Sequence, residues 1–148
     1  MYDDDILAWS EQQAALLRRV AAGETINAAV DWANVIEEVE SVGRSELRAC
    51  ESLLRQALVH LLKMRAWPAS KSNTHWRAEG RGFLFGAGRA FSPSMRSRID
   101  LPDIYRSALE QVGDEVDESG APGALPDACP FTLDALLAGD LPALEAGS

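Results

Sequence analysis

Glu37 and Glu40 stand three residues apart, a spacing that puts two carboxylates on one face of a helix, and His60 falls on the next predicted helix. Carboxylates from one helix and an imidazole from another are how a metal site is built in the core of a helical bundle. A metal-dependent enzyme centred on Glu37, Glu40 and His60 is therefore one reading of the chain. Against it, di-metal bundles use Glu-x-x-His pairs, whereas His60 follows Gln56 and Ala57 and is followed by Lys63, whose charge opposes a nearby cation. The competing reading pairs the glutamates with Arg44, Arg48 or Lys63 and has His60 donate to one of them. On that balance no metal and no cofactor is expected, and an enzyme is the less favoured class.

A second pattern interleaves bases with aromatics. Lys63, Arg65, Lys71, Arg77, Arg81 and Arg89 alternate with Trp67, Trp76, Phe83, Phe85 and Phe91, as in a groove that tracks a phosphate backbone and stacks bases. These six cations are the candidate anion or nucleic-acid patch. The competing role for the aromatics is core. Gly80, Gly82, Gly86 and Gly88 look like a phosphate loop only superficially, since no Lys-Ser or Lys-Thr follows and no strand precedes. Close helix packing or a broken helix is the alternative. Cys50 and Cys129 form no C-x-x-C motif; Cys50 lies on an apolar stripe and reads as a small core residue. A Cys129–His75 pair is thin ground for nucleophilic catalysis, and no elbow motif offers a serine nucleophile.

These groups sit in a chain of 148 residues, 47% apolar and 25% charged, which is the composition of a globular protein of one ordinary domain. Two cysteines exclude a disulfide scaffold. No apolar run approaches the ~20 residues that cross a bilayer. The start, Met1 to Asp5, is acidic where a secretory signal would be basic, so a cytoplasmic, reducing location without membrane is expected. The net charge of −9 is unevenly spread: residues 1–54 carry −7, residues 55–98 carry +8 and residues 99–148 carry −10. Either the acidic ends neutralise the basic middle, within a chain or across a dimer, or the middle faces a phosphate-bearing partner. Overall negative charge repels nucleic acid, so only a focused patch could bind it.

The elements that must position these residues are helical. Ile6, Trp9, Gln13, Leu16, Leu17 and Val20 recur at helical steps within 3–22, behind three aspartates suited to a helix N-terminus. Trp32, Val35, Ile36, Val39 and Val42 share a face over 31–42, and Gly43 is expected to break the run. A long central helix follows over 44–66, ended by Pro68, then a polar loop over 68–75. Residues 76–91 are ambiguous, a frayed helix or a glycine-lined contact. Ser92-Pro93 reads as a helix start, a further helix is predicted over 102–118, and residues 119–130 read as a Pro/Gly-rich tether. Thr132 caps a short helix over 132–138, after which the tail is expected to fray. All four tryptophans are expected as core anchors. No stretch alternates with strand period, so the expectation is a single all-α domain over 1–148, a bundle of about five or six helices.

Residues 31–63, DWANVIEEVESVGRSELRACESLLRQALVHLLK, carry a familiar pattern. Asn34, Glu37, Glu38, Glu40 and Gly43 form one run, Ser52 and Leu53 a second, and His60, Leu61, Leu62 and Lys63 a third. Trp9 with Gln12, Gln13 and Ala14, Trp76, Ser92-Pro93-Ser94 and Cys129-Pro130 extend it along the chain. The sequence so resembles a bacterial family, domain-of-unknown-function family twenty-nine. The resemblance implies an all-α fold and no established activity. Members carry a charged, glycine-poor helix between Trp76 and Ser92, where this chain has four glycines. It also marks Asn34, Glu37, Glu38, Arg44, His60, Lys63 and Trp76 as a shared polar set, either a site or a buried network that fixes helix register. The function expected is a small interaction or self-associating module with a homo-oligomeric or protein partner; a nucleic-acid-associated module using 63–89 comes second.

Overall fold

A computed structural model describes residues 2–146. Among them are six α-helices and no strand. They are α1 (Ile6–Ala21), α2 (Trp32–Ala66), α3 (Asn73–Ala90), α4 (Leu101–Gly113), α5 (Leu133–Ala138) and α6 (Leu141–Ala146), with 3₁₀ turns at Asn27–Ala29 and Pro93–Met95. The all-α bundle expected from periodicity is what forms.

The chain divides into two compact units, Met1–Ser45 and Glu46–Ser148, with α2 contributing residues to both. In the first unit Asp5 caps α1, its carboxylate accepting from Ala8 N at 3.0 Å. Its buried apolar side chains are Trp9 and Val30. The second unit holds the main core, where Cys50, Leu54, Leu58 and Leu62 of α2 meet Leu84 and Ala87 of α3, Tyr105, Ala108 and Val112 of α4, and Leu136, Leu141 and Leu144 of α5 and α6.

Several boundaries differ from expectation, each for a physical reason. Gly43 does not break the second and third predicted helices; they are one helix of 35 residues. An interior glycine costs only about 1 kcal/mol relative to alanine, too little to stop a helix flanked by good formers on both sides. The four glycines of 80–88 likewise lie inside an unbroken α3 of 18 residues, which begins at Asn73 within the predicted loop. Burying Trp76 and Leu84, worth roughly 1.5–3 kcal/mol for a large apolar side chain, offsets much of their cost. Three of the glycines also face neighbours closely: a Cβ on Gly80 would lie 3.4 Å from His60 Cβ, one on Gly86 3.4 Å from Leu53 and one on Gly88 3.2 Å from Leu137 O.

Ser92-Pro93 starts a 3₁₀ turn rather than a helix. The helix predicted over 102–118 ends at Gly113, before the acidic run Asp114 to Glu118, and Val116 is left exposed. The tail does not fray at 141–146. Asp140 caps α6 by accepting from Ala143 N at 3.2 Å, Pro142 fits its first turn, and Leu141 and Leu144 are buried. Residues 119–130 have no regular structure, as expected of a connector, yet they are tied down. Gly123 N donates to Ala66 O at 2.7 Å, Trp67 Nε1 to Gly120 O at 2.8 Å and Tyr105 OH to Pro126 O at 2.5 Å. Of the four tryptophans, Trp9, Trp67 and Trp76 are buried, whereas Trp32 is exposed, its indole donating to Asn27 O.

Candidate functional site

The polar set falls into two groups, one in each unit. In the first unit the groups cluster where α1 meets the start of α2. Asp31 Oδ2 accepts from Trp9 Nε1 at 3.1 Å and from Asn34 Nδ2 at 2.8 Å, and its backbone N–H donates to the buried Gln13 at 2.8 Å. Hydrogen bonds from Asn34 and Trp9 hold the Asp31 carboxyl below the usual carboxylate range. Tyr2 OH donates to Glu38 at 2.5 Å while its ring packs edge-on against Trp9, 4.8 Å between centroids. That hydrogen bond, with desolvation and the charges of Glu38, Glu37 and Asp3, pushes the Tyr2 phenol up to about 12. Arg44 reaches back along α2 to Glu37 at 2.5 Å and Glu40 at 3.7 Å.

In the second unit His60 is 7% exposed and uses both ring nitrogens. Nδ1 donates to Gln56 O one turn earlier at 2.7 Å, and Nε2 faces Glu79 Oε2 at 2.7 Å. A backbone carbonyl can only accept, so Nδ1 carries the proton it donates to Gln56 O, and Nε2 stands within hydrogen-bonding distance of the Glu79 carboxylate. The other Glu79 oxygen meets His75 Nε2 at 3.1 Å. The His60 hydrogen bond, more than the charges of His75, His60 and Lys63, holds the Glu79 carboxyl low against partial desolvation. Phe83 covers the His60 ring at 5.2 Å. One turn on, Lys63 pairs with Glu115 at 2.7 Å and lies 5.5 Å above the Trp76 ring. His60, Lys63, Trp76 and Glu79 thus join α2, α3 and the segment after α4.

Chemically this arrangement is an engaged pair rather than a set of open ligands. Glu37 and Glu40 are held by Arg44 in the first unit, and His60 is held by Glu79 in the second. Among the described residues, no three His, Cys, Asp or Glu side chains are placed to hold a metal ion together. Glu79 is the functional-group partner that sequence reasoning missed. Its signal was there: it is the sole acid between residues 55 and 98, three positions after Trp76. Both cysteines are free, and burial pushes each thiol up, away from thiolate chemistry.

The six cations of the basic segment are not one surface. Lys63 and Arg77 are neutralised by Glu115 and Glu145, and Arg96, outside the set, by Asp134, so three ion pairs join the basic middle to the acidic last third. Arg65 lies 4.9 Å from the Phe131 ring. Lys71, Arg81 and Arg89 are exposed, and Arg89 lies 5.8 Å from the exposed Phe85 ring.

The family model described as domain of unknown function DUF29 matches residues 1–141. The chain belongs to the DUF29 family. Comparison with curated proteins finds no match. A solved structure similar to this DUF29 chain is the crystal structure of an alpha-helical protein of unknown function from Rhodospirillum rubrum. The two are 30% identical with a TM-score of 0.75, over 99% of this chain and 96% of that one. Among the described residues no helix of this DUF29 protein is long and apolar enough to cross a membrane.

Proposed function

We propose that this DUF29 chain is a small cytoplasmic interaction module that self-associates, and that the start of α2 supplies the contact surface. The observation that carries this reading is an apolar helix face that the described residues leave exposed. Trp32, Ile36, Val39 and Val42 are 41%, 53%, 70% and 63% exposed. At 3.6 residues per turn they span roughly 120° of one face. The sequence pattern marks them as a core stripe, yet the described residues leave them uncovered. Ile6 and Leu7 of α1 add to the exposed apolar surface of the same unit. Contiguous apolar surface of this kind on a folded chain marks a protein interaction site. Two free thiols accord with a reducing compartment.

The other classes have less support. With Lys63 and Arg77 already paired, Lys71, Arg81 and Arg89 are the exposed cations of the candidate nucleic-acid patch. They would bind single strands with a shallow salt dependence, against a net charge of −9. The metal-dependent reading loses its ligands to Arg44 and Glu79.

Light scattering on the eluting protein at micromolar concentration and moderate salt tests the reading. The expected result is a dimer or larger species that Ile36→Glu/Val39→Glu converts to monomer, with helicity by circular dichroism unchanged. A wild-type chain that is monomeric under those conditions overturns it.

A further inference from the structure

We infer that Arg81, Phe85 and Arg89 on the exposed face of α3 form the surface that receives the acidic start of α2 from a second copy of this chain. The inference rests on the self-association proposed above and names its other half. The three residues stand at positions i, i+4 and i+8 and so share one helical face. Phe85 is 66% exposed. A groove of about 310 Å³ lies beside it, between α3 and the α5–α6 corner, with Leu84, Gly88 and Leu137 among its walls.

Charge singles out this face. Lys63, Arg77 and Arg96 of the basic middle each meet a carboxylate of the acidic last third. Among the described residues Arg81 and Arg89 meet none, and Arg89 instead lies against Phe85. Two uncompensated cations thus flank one exposed aromatic. The first unit presents the complement. Residues 1–45 hold nine acids and three bases, a charge of −6. Glu40 borders its apolar face and Glu37 stands about 60° further round the helix on the same side, with side chains 60% and 54% exposed despite their shared contact to Arg44. Lengths match as well: at 1.5 Å per residue, Arg81 to Arg89 spans about 12 Å and Trp32 to Val42 about 15 Å. Phe85 would pack on Ile36 and Val39 while one of the flanking arginines meets Glu40, with Glu37 adding to the negative charge beside it. The two surfaces are unlike, so each copy offers both halves of the contact.

Complementation by charge reversal tests this with full-length chains. Arg81→Glu/Arg89→Glu and Glu37→Arg/Glu40→Arg should each raise the self-association dissociation constant at least tenfold by sedimentation velocity. An equimolar mixture of the two variants should recover association, because the reversed face then meets the reversed helix. Arg81→Gln/Arg89→Gln, which adds no repulsion, should weaken association less than the reversal, and the face variants decide the matter alone if the helix variant fails to fold. A monomeric wild type sinks the function proposed above. If wild type associates and Ile36→Glu/Val39→Glu disrupts it while the arginine variants do not, the helix pairs with another surface and only the present inference falls. It also falls if reversing the arginines abolishes binding of a single-stranded oligonucleotide and leaves self-association intact.

Discussion

His60 and Glu79 illustrate what a single residue's neighbours decide. The imidazole was legible as a chemical group, and its partner was not, because a helix pair brings together residues 19 apart that no local spacing relates. With Gln56 O on one nitrogen and Glu79 on the other, both ring nitrogens of His60 are engaged within the protein. Its bonds tie α2 to α3 instead. Glu79→Ala is expected to lower the melting temperature by a few degrees at pH 7, since buried Nε2 then loses its acceptor. The sign of the pH dependence follows from the carboxyl's lowered value. A carboxylate held low in the folded state contributes stability above its unfolded value, near 4.5, and that contribution disappears as pH falls through the folded value. The melting-temperature gap between wild type and Glu79→Ala should therefore be full at pH 6–7 and close as the solution is taken below about pH 4. A gap that persists unchanged into acid would mean that Glu79 acts by packing rather than by its charge and hydrogen bond.

At the scale of elements, apolar periodicity located α1, the two halves of α2, and α4 and α5, whereas glycine misled. Gly43, Gly82 and Gly88 look alike in sequence, and what separates them is what their missing Cβ would meet. Nothing lies within 4 Å of a Cβ at Gly43 or Gly82, but one at Gly88 would come within 3.2 Å of the Leu137 carbonyl oxygen. Backbone cannot yield as a flexible side chain does. Gly43→Ala and Gly82→Ala are expected to stabilise the protein by roughly 0.5–1 kcal/mol each, through helix propensity and a less flexible unfolded chain. Gly88→Ala should gain nothing or destabilise, since α5 must shift. Urea unfolding of the three variants checks this, and equal gains at all three would show that α3 and α5 have room to separate. Gly139 differs again: its φ of +68° ends α5 in the left-handed region, which is why the chain can turn into α6. The turn into α6 was hidden from sequence reading because Leu141 and Leu144 are two isolated apolar residues whose burial depends on a core assembled from distant elements.

For the molecule as a whole, charge and apolar surface tell one story from opposite ends. The family assignment and the all-α class were legible in sequence; the division into two units was not, because an apolar stripe such as that of 31–42 reads the same in sequence whether or not it is covered. The buried apolar side chains of the first unit are Trp9 and Val30, while the second unit holds a core contributed by five helices. Burial scales with stability, so the first unit should unfold at lower denaturant than the second. The four tryptophans are divided evenly and report on each: Trp9 and Trp32 lie in the first unit, Trp67 and Trp76 in the second. Trp67→Phe/Trp76→Phe leaves fluorescence only in an unaltered first unit, and Trp9→Phe/Trp32→Phe only in an unaltered second. The former should lose its signal at lower urea. If a second copy covers the start of α2, mass action adds a further signature: the first-unit midpoint should rise with protein concentration, because only the folded state is bound. Coincident midpoints would mean that the units unfold as one. A first-unit midpoint that is low but independent of concentration over the micromolar range would leave the exposed face of Trp32, Ile36, Val39 and Val42 uncovered by its own kind, and would count directly against self-association.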